Sequence, residues 1–194
     1  MIKKIIKKIL NRFNYQIISN KKEFPIPEAT QDEKNLIKKA LKFSMTNEIR
    51  AWSLINSIKY VMNNNIEGDF VECGVFKGGN LLIFKDFIKR FSLNKNIYGY
   101  DTFEGMSEPT SFDKRYLDNK EAKDILSRKA KKNINDFNFW CYADLDMVKK
   151  NLNFSENNKL NLIKGKVEDT LLVKKNLPNK ISILRLDTDF YEST

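Results

Sequence analysis

Residues 68–80 read GDFVECGVFKGGN, and this stretch decides the fold. Its first half, Asp69–Cys73, predicts a buried strand, and its second half predicts a glycine-rich turn that opens a helix over residues 79–91. A strand that runs through glycines into a helix can surround a ligand with backbone N–H groups. The spacing is not GxGxxG, because the next glycines come four and five residues after Gly74. The stretch therefore predicts a ligand-binding turn in an α/β fold.

The carboxylate of Glu72, near the end of the strand, indicates the kind of ligand. It suits a ligand with an ammonium group, such as the methionine part of S-adenosylmethionine, and it suits a pyrophosphate poorly. Gly74 would let the backbone approach the ligand, while Gly78 and Gly79 would allow the tight entry into the helix. An ordinary glycine-rich turn is the alternative. The cofactor contacts predicted in this stretch are Glu72, Gly74, Val75, Gly78, Gly79 and Asn80.

The rest of the chain repeats the alternation of strands and helices. Further strands are predicted at residues 96–100, Leu160–Lys164 and Ile181–Leu186, all as buried parallel strands. Further helices are predicted at residues 120–133 and 144–152. Parallel neighbours need crossover connections, so the pattern predicts an α/β fold with a parallel sheet. Residues 104–144 are too long for one crossover and predict an insertion or lid.

The N-terminal part is predicted to be a helical extension with a linker, over residues 1–44, ahead of the main domain at residues 45–194. Residues 1–13 form an amphipathic pattern of isoleucines and lysines. Such a helix packs on a neighbour or makes a peripheral membrane contact; we favour packing. Residues 32–62 are helical in pattern, with Thr46 as the predicted N-cap of the second helix.

Two later turns carry acidic residues that fit a nucleoside. Asp101 follows the second predicted strand, 22 positions after Gly79, near the offset at which a carboxylate accepts hydrogen bonds from ribose hydroxyls. A turn or cap role is the alternative. The residues predicted beside the ribose are Asp101, Thr102 and Phe103. In the turn at residues 165–171, Glu168 or Asp169 would meet the adenine amino group, and a capping carboxylate is an equal alternative.

Asp187 and Asp189 end the last predicted strand and suit a divalent cation such as Mg²⁺. Side chains two apart on a strand share a face, so both reach one ion only if the strand continues that far. A capping role for one of them is the alternative. The chain has no histidine, which excludes histidine ligands and Ser-His-Asp triads. We therefore predict Asp187 as the catalytic residue, with Asp187 and Asp189 as metal ligands.

The composition excludes several classes of protein. The chain has two cysteines, too few for a disulfide framework, and Cys73 is predicted to be a core residue. Its lysines are spread along the chain, so the net charge of +10 does not indicate a nucleic-acid partner. We see no apolar run long enough to span a membrane and no signal peptide, and expect a cytoplasmic protein.

Four ordered blocks resemble the macrocin O-methyltransferase family. They are GDFVECGVFKGGN at residues 68–80, YDTFEGM at 100–106, GKVEDTL at 165–171 and LRLDTDFYEST at 184–194. The resemblance implies a doubly wound, Rossmann-like methyltransferase fold, the cofactors S-adenosylmethionine and Mg²⁺, and methylation of a hydroxyl on a sugar, polysaccharide or related natural product. It implies Glu72 and the three glycines at the methionine end, Asp101 at the ribose and Asp187 on the metal.

The chain departs from the resembled family at two points. Family members continue past the YEST motif with a helix, a strand and a pair of aspartates, so we expect a sheet that is incomplete after the fourth strand. Its open edge and uncovered apolar face favour aggregation or a partner chain, and we expect a homo-oligomer. Family members can also use a lid histidine, which is absent. The alternatives are a glycosyltransferase with Asp187-Thr-Asp189 as a DxD motif, or an inactive methyltransferase fragment.

Overall fold

A computed structural model describes residues 24–130, 141–154 and 159–194. The amphipathic pattern at residues 1–13 and the last part of the helix predicted at 120–133 lie outside the described residues. No helix in these three ranges has the length and hydropathy needed to cross a bilayer.

The helical region before the sheet contains two α-helices. Helix α1, Gln31–Ala40, begins at a capping box in which Thr30 and Glu33 bond each other's backbone N–H, and it continues into a 3₁₀ turn, Leu41–Phe43. Helix α2 is Glu48–Asn63. Its N-cap is Asn47, whose Oδ1 accepts from the backbone N of Arg50 at 2.9 Å. The prediction of Thr46 as the cap was wrong by one residue, because the Asn side chain serves the same purpose.

Four parallel strands form the sheet, in the order β3-β2-β1-β4. Their bounds are Asp69–Cys73 for β1, Ile97–Asp101 for β2, Leu160–Lys164 for β3 and Ile181–Leu186 for β4. The parallel α/β sheet is thereby confirmed, with β2 one residue later than predicted. The chain starts in the middle at β1, moves outward to β2 and β3, and then returns to the other side at β4.

Helices connect the strands as the sequence predicted. They are α3, Gly79–Arg90; α4, Ala122–Ala130; α5, Leu145–Asn151; and α6, Val167–Thr170. Two 3₁₀ turns, Lys174–Asn176 and Tyr191–Ser193, lie before and after β4. Helices α4 and α5 both fall between β2 and β3, so the long connection at residues 104–144 is an insertion, as predicted.

The core lies mainly on one face of the sheet. Phe70 of β1 stacks on Phe84 of α3 with ring centroids 4.8 Å apart, inside a cluster that α1, α2 and α3 cover. The other face is thinner: Val71, Cys73 and Tyr100 pack there against Val167 of α6. The prediction that Cys73 is a core residue is confirmed.

The two edge strands of the described sheet, β3 and β4, depart from the predicted burial. In β3 only Leu160 is buried, and in β4 Leu184 and Leu186 are 53% and 47% exposed. The prediction of a fully buried strand was wrong, because burial of a parallel strand requires neighbours and covering helices on both faces. Among the described residues, one edge of β4 pairs with no strand, and its leucines are about half-exposed.

Candidate active site

A cavity with a volume of about 300 Å³ lies where the carboxyl ends of all four strands meet. Each strand end contributes to its wall: Gly74 after β1, Asp101 of β2, Gly165 after β3 and Asp187 after β4. The N-terminal end of α2 and part of the insertion complete the wall. In open α/β sheets, ligands bind at this crevice outside the strand ends. The fold therefore brings together the turns that the sequence singled out.

Most of the predicted site residues line this cavity. They are Gly74, Val75, Asn80, Asp101, Thr102, Glu168, Asp187 and Asp189. The other five do not line it: Glu72, Gly78, Gly79 and Phe103 are buried, and Asp169 is exposed.

Gly74 is needed for a close backbone approach, although the approaching group is not a ligand. Its φ is +85°, a conformation that favours glycine. A Cβ there would lie 2.2 Å from the carbonyl oxygen of Asp187. Gly74 thus allows the ends of β1 and β4 to touch, and this contact brings Asp187 to the cavity.

Gly78 and Gly79 fix the start of α3 behind the cavity wall. Gly78 is the N-cap with a φ of +90°. A Cβ on Gly79 would lie 2.5 Å from the carbonyl oxygen of Ala40 and 2.6 Å from Cβ of Ser44. The glycine pair therefore allows α3 to pack tightly against the end of α1, as the predicted tight entry into the helix requires.

Asp101 holds the glycine turn in place. Its Oδ2 accepts from the backbone N of Val75 at 2.7 Å and of Phe76 at 3.0 Å, and its Oδ1 accepts from the backbone N of Phe103 at 2.8 Å. The hydroxyl of Thr102 also donates to Oδ1 at 3.4 Å, so the roughly four acceptor sites of the carboxylate are all engaged within the chain. The sequence predicted Asp101 beside the ribose, with a turn role as the alternative, and these bonds show that Asp101 does have the turn role.

Glu72 is wholly buried behind the wall. Its Oε1 accepts from Asn80 Nδ2 and from Arg185 Nη1, both at 2.8 Å, while Oε2 has no partner within the described chain. Burial raises the pKa of Glu72 to about 7, against the opposing effects of Arg185 and Asn80. The sequence predicted that Glu72 contacts the ammonium group of a cofactor directly. Glu72 does not line the cavity, so the structure does not place it for that contact. Asn80 stands between Glu72 and the cavity.

Arg185 joins the two halves of the site and was missed by sequence reasoning. Its Nη1 lies 2.8 Å from Glu72 Oε1 and 2.8 Å from Asp187 Oδ2. An arginine on a strand has no local signal of such a role, because Glu72, the partner that it joins to Asp187, lies on another strand.

Asp187 and Asp189 both face the cavity, but not as two residues on one strand. Strand β4 ends at Leu186, and Asp189 has a φ of +67°, so strand geometry no longer applies. Burial raises the pKa of Asp189, and the charge of Asp187 adds to that effect. Within residues 24–130, 141–154 and 159–194, no group of three or more acidic or cysteine side chains is placed to hold a metal ion.

The turn after β3 supplies the opposite wall of the cavity. Gly165 donates its backbone N–H to the Asp101 carbonyl at 3.0 Å, and Glu168 then lines the cavity. The N-cap of α6 is Lys166, without a side-chain capping bond. The alternative in which Glu168 or Asp169 caps this helix is therefore wrong.

The N-terminal end of α2 forms the remaining wall, which sequence reasoning did not assign. It contributes Ser44, Met45, Thr46 and Arg50. The Sγ atom of Cys141, from the insertion, lies 3.6 Å from Sδ of Met45. Burial raises the pKa of Cys141 to about 11, so its thiol stays protonated at neutral pH.

The insertion is tied to the segment that follows Asp189. The buried carboxylate of Asp113 accepts from the backbone N of Tyr191 at 2.7 Å and of Thr110 at 2.6 Å. The rings of Phe112 and Tyr191 pack with centroids 5.2 Å apart. These contacts hold the insertion beside the Asp187–Asp189 side of the cavity.

Comparisons with known proteins give the family and the fold of the chain. A sequence model of the macrocin O-methyltransferase family matches residues 2–194. The O-methyltransferase NovP is a similar solved structure, with 21% identity, a TM-score of 0.60, and coverage of 78% of this chain and 58% of NovP. The calicheamicin methyltransferase CalS11 is another, with 16% identity, a TM-score of 0.50, and coverage of 88% of this chain and 71% of CalS11.

Both sequence identities are low, so these two similarities show the fold alone. The chain spans 58% of the length of NovP. No curated protein matches the chain by sequence.

Proposed function

The chain belongs to the macrocin O-methyltransferase family, and from that premise we propose that it methylates a hydroxyl group with S-adenosylmethionine as the donor. The acceptor is a sugar, a polysaccharide or a related natural product. A divalent metal assists the reaction. The observation that supports this proposal best is that the ends of all four strands line one cavity, with Asp101 and Asp187 both on its wall.

The residues present suit this cofactor. The ribose hydroxyls would lie beside Asp101 and Thr102, where they would compete with the Thr102 hydroxyl for Oδ1 of Asp101, and the adenine would lie near Glu168. The backbone of Gly74 and Val75 would border the sulfur. Glu72 would act through Asn80, while Gly78, Gly79 and Phe103 would support the wall from behind; Asp169, which is exposed, would lie at the adenine side beside Glu168.

Bound S-adenosylmethionine supplies a methyl group that is already activated on a sulfonium. The protein then needs to align the acceptor with that methyl group and to favour loss of the hydroxyl proton. Asp187 is the residue we assign to the acceptor hydroxyl, because it lines the cavity on the side nearest the insertion-bound segment. Since the chain has no histidine, we assign that proton to a carboxylate rather than to a lysine, a tyrosine or a metal-bound water.

The divalent metal in this proposal is a magnesium ion bound by Asp187 and Asp189. Mg²⁺ is commonly held by one or two carboxylates and several waters, and Asp187 with Asp189 would provide two carboxylates. Arg185 bonds Oδ2 of Asp187, which leaves its Oδ1 for the ion. Bound there, the ion would lower the pKa of an acceptor hydroxyl.

The remaining parts of the proposal concern location and partners. We place the protein in the cytoplasm, with a helical extension at residues 1–44 ahead of the methyltransferase domain at 45–194. The open edge at β4 suits a second copy of the chain. A membrane contact through residues 1–13 and a nucleic-acid partner are not part of the proposal.

Isothermal titration tests the cofactor class. We expect S-adenosylhomocysteine to bind in a 1:1 ratio, and uridine diphosphate with Mg²⁺ to bind at least tenfold more weakly. The reverse order would move the function to glycosyl transfer. Asp101→Asn should weaken S-adenosylhomocysteine, whereas Asp146→Asn is a matched control because that side chain is 94% exposed.

A further inference from the structure

One guanidinium serves two carboxylates at the boundary of the cavity. Arg185 lies on β4, and its Nη1 is 2.8 Å from Glu72 Oε1 and 2.8 Å from Asp187 Oδ2. Glu72 is wholly buried on β1, whereas Asp187 is partly exposed and lines the cavity. A single nitrogen therefore links a carboxylate behind the cavity wall to a carboxylate on its surface.

The hydrogen bonds of Glu72 are divided unevenly between its two oxygens. Oε1 accepts from Asn80 Nδ2 and from Arg185 Nη1, while Oε2 is buried and has no partner within the described chain. A buried acceptor without a partner costs free energy. An arginine can bond both oxygens of one carboxylate with two parallel N–H groups, which is the stronger arrangement. The contact between Arg185 and Glu72 uses one oxygen, so a stronger pairing of the two is available.

Asp187 draws Arg185 away from that stronger pairing. Its backbone N–H donates to the carbonyl of Cys73 at 2.9 Å, so the main chain of Asp187 is held beside the end of β1. A guanidinium between two carboxylates is attracted by both charges. If another cation neutralised Asp187, the attraction toward Glu72 would remain and the attraction toward Asp187 would be lost.

We propose that Arg185 is a shared counter-ion, which a cation bound to Asp187 displaces toward Glu72. The inference rests on the proposed function, in which Asp187 and Asp189 hold a divalent metal, and it adds the residues that set the affinity for that metal. With a cation on Oδ1 of Asp187, repulsion between the two positive groups favours release of Oδ2 by Arg185. Arg185 then pairs with both oxygens of Glu72, and Oε2 receives a donor.

These positioning roles predict opposite effects of removing the two partners. Arg185 opposes cation binding at Asp187, because it occupies one of the oxygens and repels a second positive charge. Glu72 reduces that opposition, because it attracts Arg185 away from Asp187. Loss of Arg185 should therefore strengthen cation binding, and loss of the Glu72 charge should weaken it. A role in packing alone would weaken binding in both cases.

Mn²⁺ binding to the full chain, measured by electron paramagnetic resonance, tests these effects. Mn²⁺ prefers the same oxygen ligands as Mg²⁺. Arg185→Gln should strengthen Mn²⁺ binding about 5- to 50-fold, the range expected for a unit charge a few Å from a dication near a protein surface. Glu72→Gln should weaken it about 3- to 10-fold, because Asp187 is then the only carboxylate that Arg185 bonds among the described residues. A pH of 8 keeps Glu72 ionised in the wild type, since burial raises its pKa to about 7.

Two further variants serve as controls. Arg90→Gln makes the same chemical change at an arginine whose partners, Asp86 and Asp32, do not line the cavity, and should leave Mn²⁺ affinity within about twofold. Asp187→Asn should weaken Mn²⁺ binding by more than about tenfold, which shows that the measured ion is the one at this site. If Arg185→Gln does not fold, as judged by thermal melting, Glu72→Gln decides the matter, because it preserves the size of the side chain.

The outcomes separate this inference from the proposed function. Equal or weaker Mn²⁺ binding in both Arg185→Gln and Glu72→Gln, with Mn²⁺ bound by the wild type, overturns the shared counter-ion alone. Absence of Mn²⁺ binding by the wild type overturns it together with the metal part of the proposed function. Titration of the same protein with S-adenosylhomocysteine then shows whether the cofactor part of the proposed function stands.

Discussion

Replacing Asp101 with asparagine should loosen the turn that forms the cofactor wall. The carboxylate now accepts three backbone N–H groups, from Val75, Phe76 and Phe103. An amide has one oxygen, so at least one of these groups would face an NH₂ group instead, and the other bonds would become neutral. The substitution leaves the size of the side chain unchanged, so packing is not altered.

The magnitude follows from the strengths of these bonds. A hydrogen bond to a charged acceptor contributes roughly 1.5–3 kcal/mol and a neutral one about 1 kcal/mol. The loss of one bond and the weakening of two others should lower the free energy of unfolding by about 2–4 kcal/mol, given that Asp101 is only partly buried. For a domain of ordinary stability this is a large fraction of the total.

Urea unfolding measures that loss, and titration with S-adenosylhomocysteine measures its effect on the site. Asp146→Asn makes the same chemical change at a side chain that is 94% exposed, and should alter stability by less than about 0.5 kcal/mol. If Asp101→Asn matched this control in both stability and affinity, Asp101 would not be what holds the turn.

Three further predictions concern stability. Burial raises the pKa of Glu72 from 4.5 to about 7, so between these pH values the folded state binds a proton that the unfolded state has lost. The free energy of unfolding should therefore fall by about 3 kcal/mol as the pH rises from 4.5 to 7. Urea unfolding measured against pH should show this fall in the wild type and not in Glu72→Gln. Gly79→Ala should destabilise by about 1–3 kcal/mol in thermal unfolding, since its Cβ would lie 2.5 Å from the Ala40 oxygen; a gain, as at an open helix position, would contradict the packing. Lys95→Met should lower the free energy of unfolding by about 1–3 kcal/mol, because Nζ of Lys95 donates to two backbone carbonyls at 2.7 Å and to a serine hydroxyl. Lys89 is exposed, so Lys89→Met should leave stability nearly unchanged. Equal effects of the two substitutions would refute the role of Lys95.

The strands and most helix bounds were predictable because their signals are local. Asp69–Cys73, Leu160–Lys164 and Ile181–Leu186 occur as strands with the predicted bounds. The order of those strands was not predictable, and burial depends on order. Strand β4 has the same apolar composition as a central strand, yet its position at the edge leaves Leu184 half-exposed.

The site shows the same division between local and long-range signals. Residue types at strand ends identified Asp101 and Asp187 as cavity residues. Their actual partners are distant in sequence: Asp101 bonds a backbone N–H 26 residues away, and Arg185 bonds Glu72 across 113 residues. Pairings of that kind depend on strand register, which a single sequence does not contain. The same limit explains why Arg50 on α2 was not assigned to the site.

The contacts of Asp187 connect the two ligand sides of the cavity. Its carbonyl oxygen rests against Gly74 of the cofactor turn, and its carboxylate shares Arg185 with Glu72. Glu72 in turn bonds Asn80, which lines the cofactor wall. A cation or acceptor that draws Asp187 away from Arg185 would strengthen the hold of Arg185 on Glu72 and so alter that wall. Because coupling of binding free energies is reciprocal, the cofactor must then change the affinity for the cation or acceptor by the same factor.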